Sequence, residues 1–566
     1  MSPAFPATSR NALYLLAAYA ITLPSVLIAG FAAPSSDLIA ALKLACIAAF
    51  AWHAVAVLGA RSSRASALTL AAATGLLWSA LLAMYVYKLV AMAPLDFSMV
   101  VVSIGDARRT LVHVLGEHGV LITVAALAGC ALAASAAAWL ALRQLHARAG
   151  RLPHGPRSAL ACVGLLCYFA AADLLYAAEE LVLYPRAYAV ESPYLPALLS
   201  VPDYSAVSIR SKETVFVVQL ESVNSLAAFT VPQPGLEAIV KEGRGVLFPL
   251  FWANGTQTHR AWESILCGVS GNLGAAMSAD PARLARATCL PGHLAAGGYE
   301  PLWLYSYFNL EFFNLGEFAH RTGFRDVVYG PNLMLEEDPR HQWGYDDCAF
   351  YERAFDYLAR RGLDKRERLF AYFEVGMHHA PFLNSRKHPE AHPYRSPDSL
   401  LEHYLNSNAE QDHCLLVFWK RFKQLGRDDV HLFIVPDHSL WVPGVPVHPD
   451  ASFATWLAYV PPARRAGEFT ARTVLSPTPS QAQLYPTILE LLEGTPLPGS
   501  FAFALRGEAQ PEGYQDCQLL TDSSDRLVVR KGAQRAEFRV RGGSVIVPGS
   551  AVDPDFWGFR ERFACN

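Results

Sequence analysis

Basic clusters are scarce in this sequence: charged residues make up only 17% of its 566 residues, and the net charge of -3 includes no Lys/Arg block of the kind that holds a polyanion. A nucleic-acid partner is therefore not expected. The chain also has no P-loop, no dinucleotide fingerprint and no internal repeat, so nothing in it is built to hold a soluble nucleotide. None of its ten cysteines has the CxxC spacing of a thiolate zinc site.

Apolar residues, by contrast, are abundant and uneven. They reach 52% overall and crowd the first third, where Ala and Leu dominate. Five stretches, Leu13–Ala33, Leu38–Leu58, Leu68–Val90, Leu121–Leu142 and Leu160–Ala178, are long enough as helices to cross a hydrocarbon layer of ~30 Å. A cleaved signal peptide is the competing reading of the first, but four more spans follow it and no small-residue cleavage site stands out. Arg10, Arg61, Arg64, Arg143, Arg148, Arg151 and Arg157 all fall on one side of these spans, against Arg108 and Arg109 on the other. Positive charge is retained in the cytoplasm, so the N-terminus is placed inside and everything after about residue 180 outside. The expected organisation is a five-helix membrane domain (1–180), a surface linker (181–212), an exported α/β domain (213–508) and a small β-rich tail (509–566).

Cysteine usage suits that address. Cys46, Cys130, Cys162 and Cys167 fall in the spans as small apolar residues. The exported part has Cys267, Cys289, Cys348, Cys414, Cys517 and Cys565, an even number in an oxidising compartment. Fifteen pairings are open to six cysteines, and Cys267 with Cys289 and Cys517 with Cys565 are the expected ones.

Within the exported part, Thr214–Leu220, Leu369–Glu374 and Val430–Val435 are runs too apolar to have one face in water, separated by helical periodicity such as that of Leu400–Leu425. That alternation predicts a mainly parallel sheet between helices. Leu527–Val529 and Ala536–Val540 are expected strands of the tail.

The three apolar runs lead into polar residues suited to metal or phosphate: Glu221 after the first, His378 and His379 after the second, Asp437 and His438 after the third. Carboxyl ends of parallel strands share one edge, so these distant residues are expected to meet there. Between the first two lies Asn254-Gly-Thr-Gln-Thr258-His-Arg-Ala-Trp-Glu, a turn opening into a helix. Unpaired N–H groups at a helix start favour a phosphate. A Thr hydroxyl is almost wholly protonated at neutral pH, and a divalent cation would activate it. Glu221, Thr258, Asp437 and His438 make a hard, oxygen-rich ligand set for Mn²⁺, Mg²⁺ or Zn²⁺. Each residue also has an ordinary reading. Glu221 could begin a helix, Asp437-His438 form a turn, Thr258 cap a helix, and His378-His379 sit at the surface. Thr256 is a rival nucleophile, and His448, between Pro446 and Pro449, reads equally as an exposed loop histidine.

In order, Glu221-Ser, Gly255-Thr-Gln-Thr258, Trp343-Gly-Tyr-Asp-Asp347, His379-Ala-Pro-Phe, Pro436-Asp-His-Ser and Pro486-Thr-Ile-Leu-Glu-Leu-Leu resemble the lipoteichoic acid synthase and phosphoethanolamine transferase branch of the alkaline phosphatase/sulfatase superfamily. The resemblance covers most of the chain, spans included. It implies an enzyme of the bacterial cytoplasmic (inner) membrane, multi-pass, with its catalytic domain on the periplasmic or extracellular side. It further implies metal ligation by Glu221, Thr258, Asp437 and His438, a phosphorylated Thr258, and substrate contacts from His379, Arg260 and His448. Thr258-His-Arg260-Ala-Trp-Glu263 resembles the Thr-x-Arg-x-x-Glu pattern of phosphoglycerol-transferring members, whereas the cysteines that flank the nucleophile in phosphoethanolamine enzymes are absent. The expected function is transfer of a phospholipid head group, phosphoglycerol favoured, from a phospholipid donor to an envelope glycan or lipid. Phosphoethanolamine transfer, phosphodiester or sulfate-ester hydrolysis, and non-catalytic lipid binding are the alternatives. Sulfatase chemistry is ranked low, since Cys289-Leu-Pro-Gly-His lacks the Arg of a Cys-x-Pro-x-Arg frame.

Overall fold

The computed structural model describes residues 204–546, except for 270–276, 280–283, 286, 311, 342, 380–381, 383–386, 441, 443, 446–447, 449, 513, 515, 522–525, 533 and 542–543. The five apolar stretches, most of the expected linker and Cys565 lie outside the described residues. Among those described, no helix is long and apolar enough to cross a membrane.

Eight strands form the main sheet: β1 (Thr214–Leu220), β2 (Val246–Trp252), β3 (Glu300–Tyr305), β4 (Asp326–Tyr329), β5 (Leu369–Glu374), β6 (Val430–Pro436), β7 (Ala454–Val460) and β8 (Arg472–Thr473), in the order β4-β3-β5-β1-β6-β7-β2-β8. β7 pairs antiparallel with both β6 and β2, and every other pairing is parallel. The carboxyl ends of β1, β2, β3, β5 and β6 therefore open on the same edge.

Both faces are covered, which explains why the central strands show no polar face. Alternate residues of β1 serve different cores: Val215 and Val217 join one hydrophobic cluster, Phe216, Val218 and Leu220 the other. β5 and β6 divide the same way, with Phe370, Tyr372, Phe433 and Val435 on one side and Ala371, Phe373, Leu432 and Ile434 on the other. Among the helices that supply core or site residues are α1 (Pro234–Glu242), α2 (Thr258–Cys267), α3 (Asp347–Arg360), α4 (Leu400–Gln424) and α5 (Leu484–Glu493). α4 starts at Ser399, whose side chain accepts from Glu402 N–H, and α3 at Asp346, which accepts from Ala349 N–H. α2 and α5 add Ala261, Trp262, Ile265, Leu489 and Leu492 to the first core, whereas Phe350, Phe355 and Phe418 from α3 and α4 belong to the second. A separate antiparallel sheet follows, built from β9 (Cys517–Thr521), β10 (Arg526–Lys531), β11 (Gln534–Arg541) and β12 (Ser544–Ile546).

Cys267 is bonded to Cys289, and Cys348 to Cys414. The second pair fastens the start of α3 to the middle of α4. Cys517 is also disulfide-bonded.

At the opposite end of β1, Glu213 is buried among His431 Nε2 (2.8 Å), Arg464 (2.8 Å) and Arg465 (3.3 Å). Burial by itself raises the Glu213 pKa, but the His431 hydrogen bond and the charges around it bring it down to about 2. Burial also lowers the pKa of His431, so the permanent charges here are the two arginines, while neutral His431 donates to Glu213 and accepts from Tyr459. A depressed carboxylate contributes stability that is complete above its unfolded pKa and fades as pH falls toward 2. Glu213→Gln is expected to cost on the order of 3 kcal/mol at pH 7 and progressively less below pH ~4, as read by chemical denaturation at several pH values.

Candidate active site

Register brings the site together. Leu220 and Pro436 are the last paired residues of β1 and β6, so Glu221 and Asp437 leave adjacent strands side by side, and Asp437 N–H donates to Leu220 O at 2.8 Å. Asp437 Oδ1 accepts from the backbone N–H groups of Ser222 (2.8 Å) and His438 (2.6 Å), which fixes the carboxylate against the sheet edge. The pair is thus no simple turn, and Glu221 does not begin a helix: Asn224, three residues on, caps the next one.

Thr258 is the first residue of α2, not its cap, since Gln257 occupies the cap position without a side-chain bond. The Thr258 hydroxyl faces Glu221 Oε2 at 3.5 Å. His438 Nε2 lies 3.3 Å from Glu221 Oε1 and 3.5 Å from Asp437 Oδ2. Ligand atoms of Glu221, Asp437 and His438 all lie within 4.8 Å of one another and are buried. Such a group is costly unless a cation joins it. Burial and the Glu221 charge push Asp437 up to about 7. Burial would lower His438, but Asp437 and Glu221 carry it up to about 9. Burial would likewise raise Glu221, which His438 and His379 hold below the usual carboxylate range. Asp437 Oδ2 has no hydrogen-bond partner despite its burial. An orphaned carboxylate oxygen beside a second carboxylate, a hydroxyl and an imidazole fits a divalent cation.

Beyond β5, the pair His378-His379 divides, and His378 does not take the surface position of its ordinary reading. His378 is fully buried against Phe382 and Tyr404, and burial lowers it to about 3. His379 packs its ring on Trp343 at 4.5 Å and acts electrostatically on Glu221. Arg260, two residues into α2, approaches Glu263 at 4.0 Å, and Glu263 accepts Met277 N–H at 2.6 Å. His448 is not part of the Glu221–Asp437–His438 group. Its ring lies beside Trp252 at 6.2 Å, and its Nδ1 accepts Asp450 N–H at 3.1 Å.

Three further residues belong to the site. Tyr307, two positions past β3, donates its phenol to Glu221 Oε2 at 2.7 Å. Ser222 donates to Glu221 Oε1 at 2.6 Å. Glu374, the last residue of β5, is buried, interacts electrostatically with Asp437 and Glu221, and accepts the indole N–H groups of Trp262 and Trp303, each at 3.1 Å. Burial raises its pKa far above the carboxylate range. The strand-end rule that picks out Glu221 applies equally to Tyr307 and Glu374. Neither stands out in the sequence, because Tyr307 carries no charge and Glu374 lies inside its own apolar run.

A family model described as sulfatase matches residues 213–495. No curated protein matches the chain by sequence. Among solved structures, the integral membrane protein lipooligosaccharide phosphoethanolamine transferase A (EptA) from Neisseria meningitidis is similar at 14% identity, TM-score 0.51, over 88% of this chain and 99% of that one. A protein in the alkaline phosphatase superfamily from Vibrio parahaemolyticus aligns at 17% identity and TM-score 0.49, covering 67% of this chain and 93% of that one. The lipoteichoic acid synthase LtaP from Listeria monocytogenes aligns at 15% identity and TM-score 0.48, covering 66% and 95%. With half of its length matched by the family model, the chain belongs to the sulfatase family.

Proposed function

We propose that this protein is a membrane-anchored, metal-dependent phosphotransferase that moves a phospholipid head group, phosphoglycerol by preference, to an envelope glycan or lipid. The observation that carries the reading is the Thr258 hydroxyl, at the start of α2 and 3.5 Å from Glu221, beside the buried candidate ligand group of Glu221, Asp437 and His438. Five apolar stretches in residues 1–180 support the anchor, as does the likeness over 88% of the chain to a protein described as integral to the membrane. Sulfate-ester hydrolysis is disfavoured because Cys267 and Cys289 are bonded to each other, so neither offers the thiol that formylglycine formation consumes.

The reaction has two displacements at phosphorus. Thr258 Oγ1 attacks the phosphodiester, an Oγ–P bond forms, and the bond to the diacylglycerol oxygen breaks, that oxygen taking a proton as it leaves. An acceptor hydroxyl then attacks the same phosphorus, the Oγ–P bond breaks, and Thr258 regains its proton. A divalent cation, Mn²⁺, Mg²⁺ or Zn²⁺, held by Glu221, Thr258, Asp437 and His438 would lower the hydroxyl pKa and offset charge developing on phosphorus. The start of α2 and the Arg260 side chain would bind the phosphoryl oxygens, with His379 and His448 as further candidates. Anchorage at the bilayer keeps the donor at high effective concentration and leaves the diglyceride in the lipid phase.

The test is lipid turnover. Purified full-length protein with phosphatidylglycerol or phosphatidylethanolamine vesicles is expected to release diacylglycerol only when divalent metal is supplied, faster with phosphatidylglycerol. Metal-independent release, or none with either lipid, contradicts the proposal. Tyr307→Phe removes one donor to Glu221 while keeping the ring, and is expected to weaken catalytic metal binding by roughly 10- to 100-fold, with turnover restored at high metal concentration. Turnover measured against metal concentration checks this.

A further inference from the structure

We propose that the protein carries a second divalent-cation site, sharing no residue with the catalytic group, formed by His388 Nδ1, Glu390 Oε1 and His413 Nε2. One ligand atom from each of these three residues lies within 4.8 Å of the other two. Glu390 Oε1 is 3.5 Å from His388 Nδ1 and 3.8 Å from His413 Nε2, and the two imidazole centroids are 5.1 Å apart. Both separations exceed the ~2.7–3.2 Å of an N–H···O hydrogen bond. They approach the edge of a tetrahedron, about 3.3–3.4 Å, that ligands at about 2.0–2.1 Å from a zinc ion would span. Two imidazoles and one carboxylate form a borderline donor set suited to Zn²⁺ and its first-row neighbours.

The surroundings are built for a ligand histidine. His388 Nε2 is held by Asp346 Oδ2 at 3.1 Å, and Asp346 is buried, so the opposite nitrogen is turned toward Glu390. A carboxylate behind a ligating imidazole fixes its tautomer and raises its basicity. The 388–392 turn is itself fastened to α4, because His392 pairs with buried Glu410 and Asn406 exchanges two hydrogen bonds with the backbone of Tyr394 (3.0 and 2.7 Å). His413 projects from the middle of the same helix. Side-chain exposures of 61% for Glu390 and 34% for His413 leave an entry path for the ion and room for water as a fourth ligand. Cys348 and Cys414 also lie beside His388, but they are bonded to each other and offer no thiolate. The occupant would tie the chain segment that follows His379 to the start of α3 and the body of α4, through Asp346 and His413.

The experiment is Zn²⁺ equilibrium dialysis with elemental analysis on the full-length chain, repeated with Co²⁺ for its absorption bands. Wild type is expected to bind two ions, while His413→Ala and Glu390→Gln each bind one, with affinity for the second lost by more than ~10-fold. Asp437→Asn, which damages the other group, is expected to keep the second site and its Co²⁺ bands. Asp346→Asn, which preserves the α3 cap, should weaken it by roughly 10- to 100-fold. The proposal is overturned if His413→Ala and Glu390→Gln bind as many ions as wild type, or if wild type binds a single ion that Asp437→Asn abolishes.

Discussion

Thr258→Ala is expected to lower head-group transfer by at least a thousandfold while leaving the fold in place, with divalent-metal binding weakened but retained through Glu221, Asp437 and His438. The size of the effect follows from the role. Removing a nucleophile removes the covalent route, and only the rate enhancement due to binding and electrostatics remains. The substitution is structurally mild because Thr258 does not cap α2, and the loss of a 3.5 Å contact to Glu221 leaves that carboxylate with Tyr307 and Ser222 as donors. Thr256→Ala, two residues earlier and outside α2, should keep most of the activity. Single-turnover assays on both variants separate the two hydroxyls.

Asp437→Asn is expected to act in opposite directions on activity and on stability. Turnover falls by at least a thousandfold because a charged ligand of the catalytic group is lost. The metal-stripped protein, however, should become more stable, by on the order of 2 kcal/mol at pH 7. Burial and Glu221 already oppose ionisation of Asp437, and the amide oxygen can still accept from Ser222 and His438 N–H while no longer repelling Glu221. A raised carboxylate pKa means this destabilisation grows as pH rises from ~4 through about 7, so the gain should vanish in mild acid. Denaturation of chelator-treated wild type and variant at pH 5 and pH 8 provides the check. Adding Mn²⁺ or Zn²⁺ should reverse the order, stabilising wild type more.

Much of this arrangement is legible in the chain. β1 and β5 span Thr214–Leu220 and Leu369–Glu374, β6 runs one residue past the apolar run Val430–Val435, and α4 covers Leu400–Gln424, because a strand buried on both faces and a long amphipathic helix each leave an unmistakable apolar pattern. Once those strands are parallel neighbours, Glu221 and Asp437 meet of necessity. Other features depend on relations that one-dimensional patterns do not hold. β2 contains Pro249 and β7 runs against its neighbours, so neither looks like part of a parallel sheet. The Cys267–Cys289 bond joins cysteines 22 residues apart, whereas Cys348–Cys414 requires α3 to lie on α4 across 66 residues. Tyr307 reaches Glu221 only because β3 lies two strands from β1, with β5 between them. His448 is placed against Trp252 by the loop between β6 and β7, a path that its flanking prolines do not specify.

At the centre of the mechanism is a covalent phosphoryl ester on Thr258. Its most direct test is intact mass and peptide mapping of the full-length protein after incubation with phosphatidylglycerol or phosphatidylethanolamine and Mn²⁺ or Zn²⁺, beside Thr258→Ala. The expected result is an adduct on the peptide containing Thr258, with the mass of a glycerol phosphate and absent from the variant. An adduct bearing ethanolamine phosphate would keep the mechanism and replace the head group. An adduct on Thr256, or none with any lipid and metal despite intact metal binding, would contradict it.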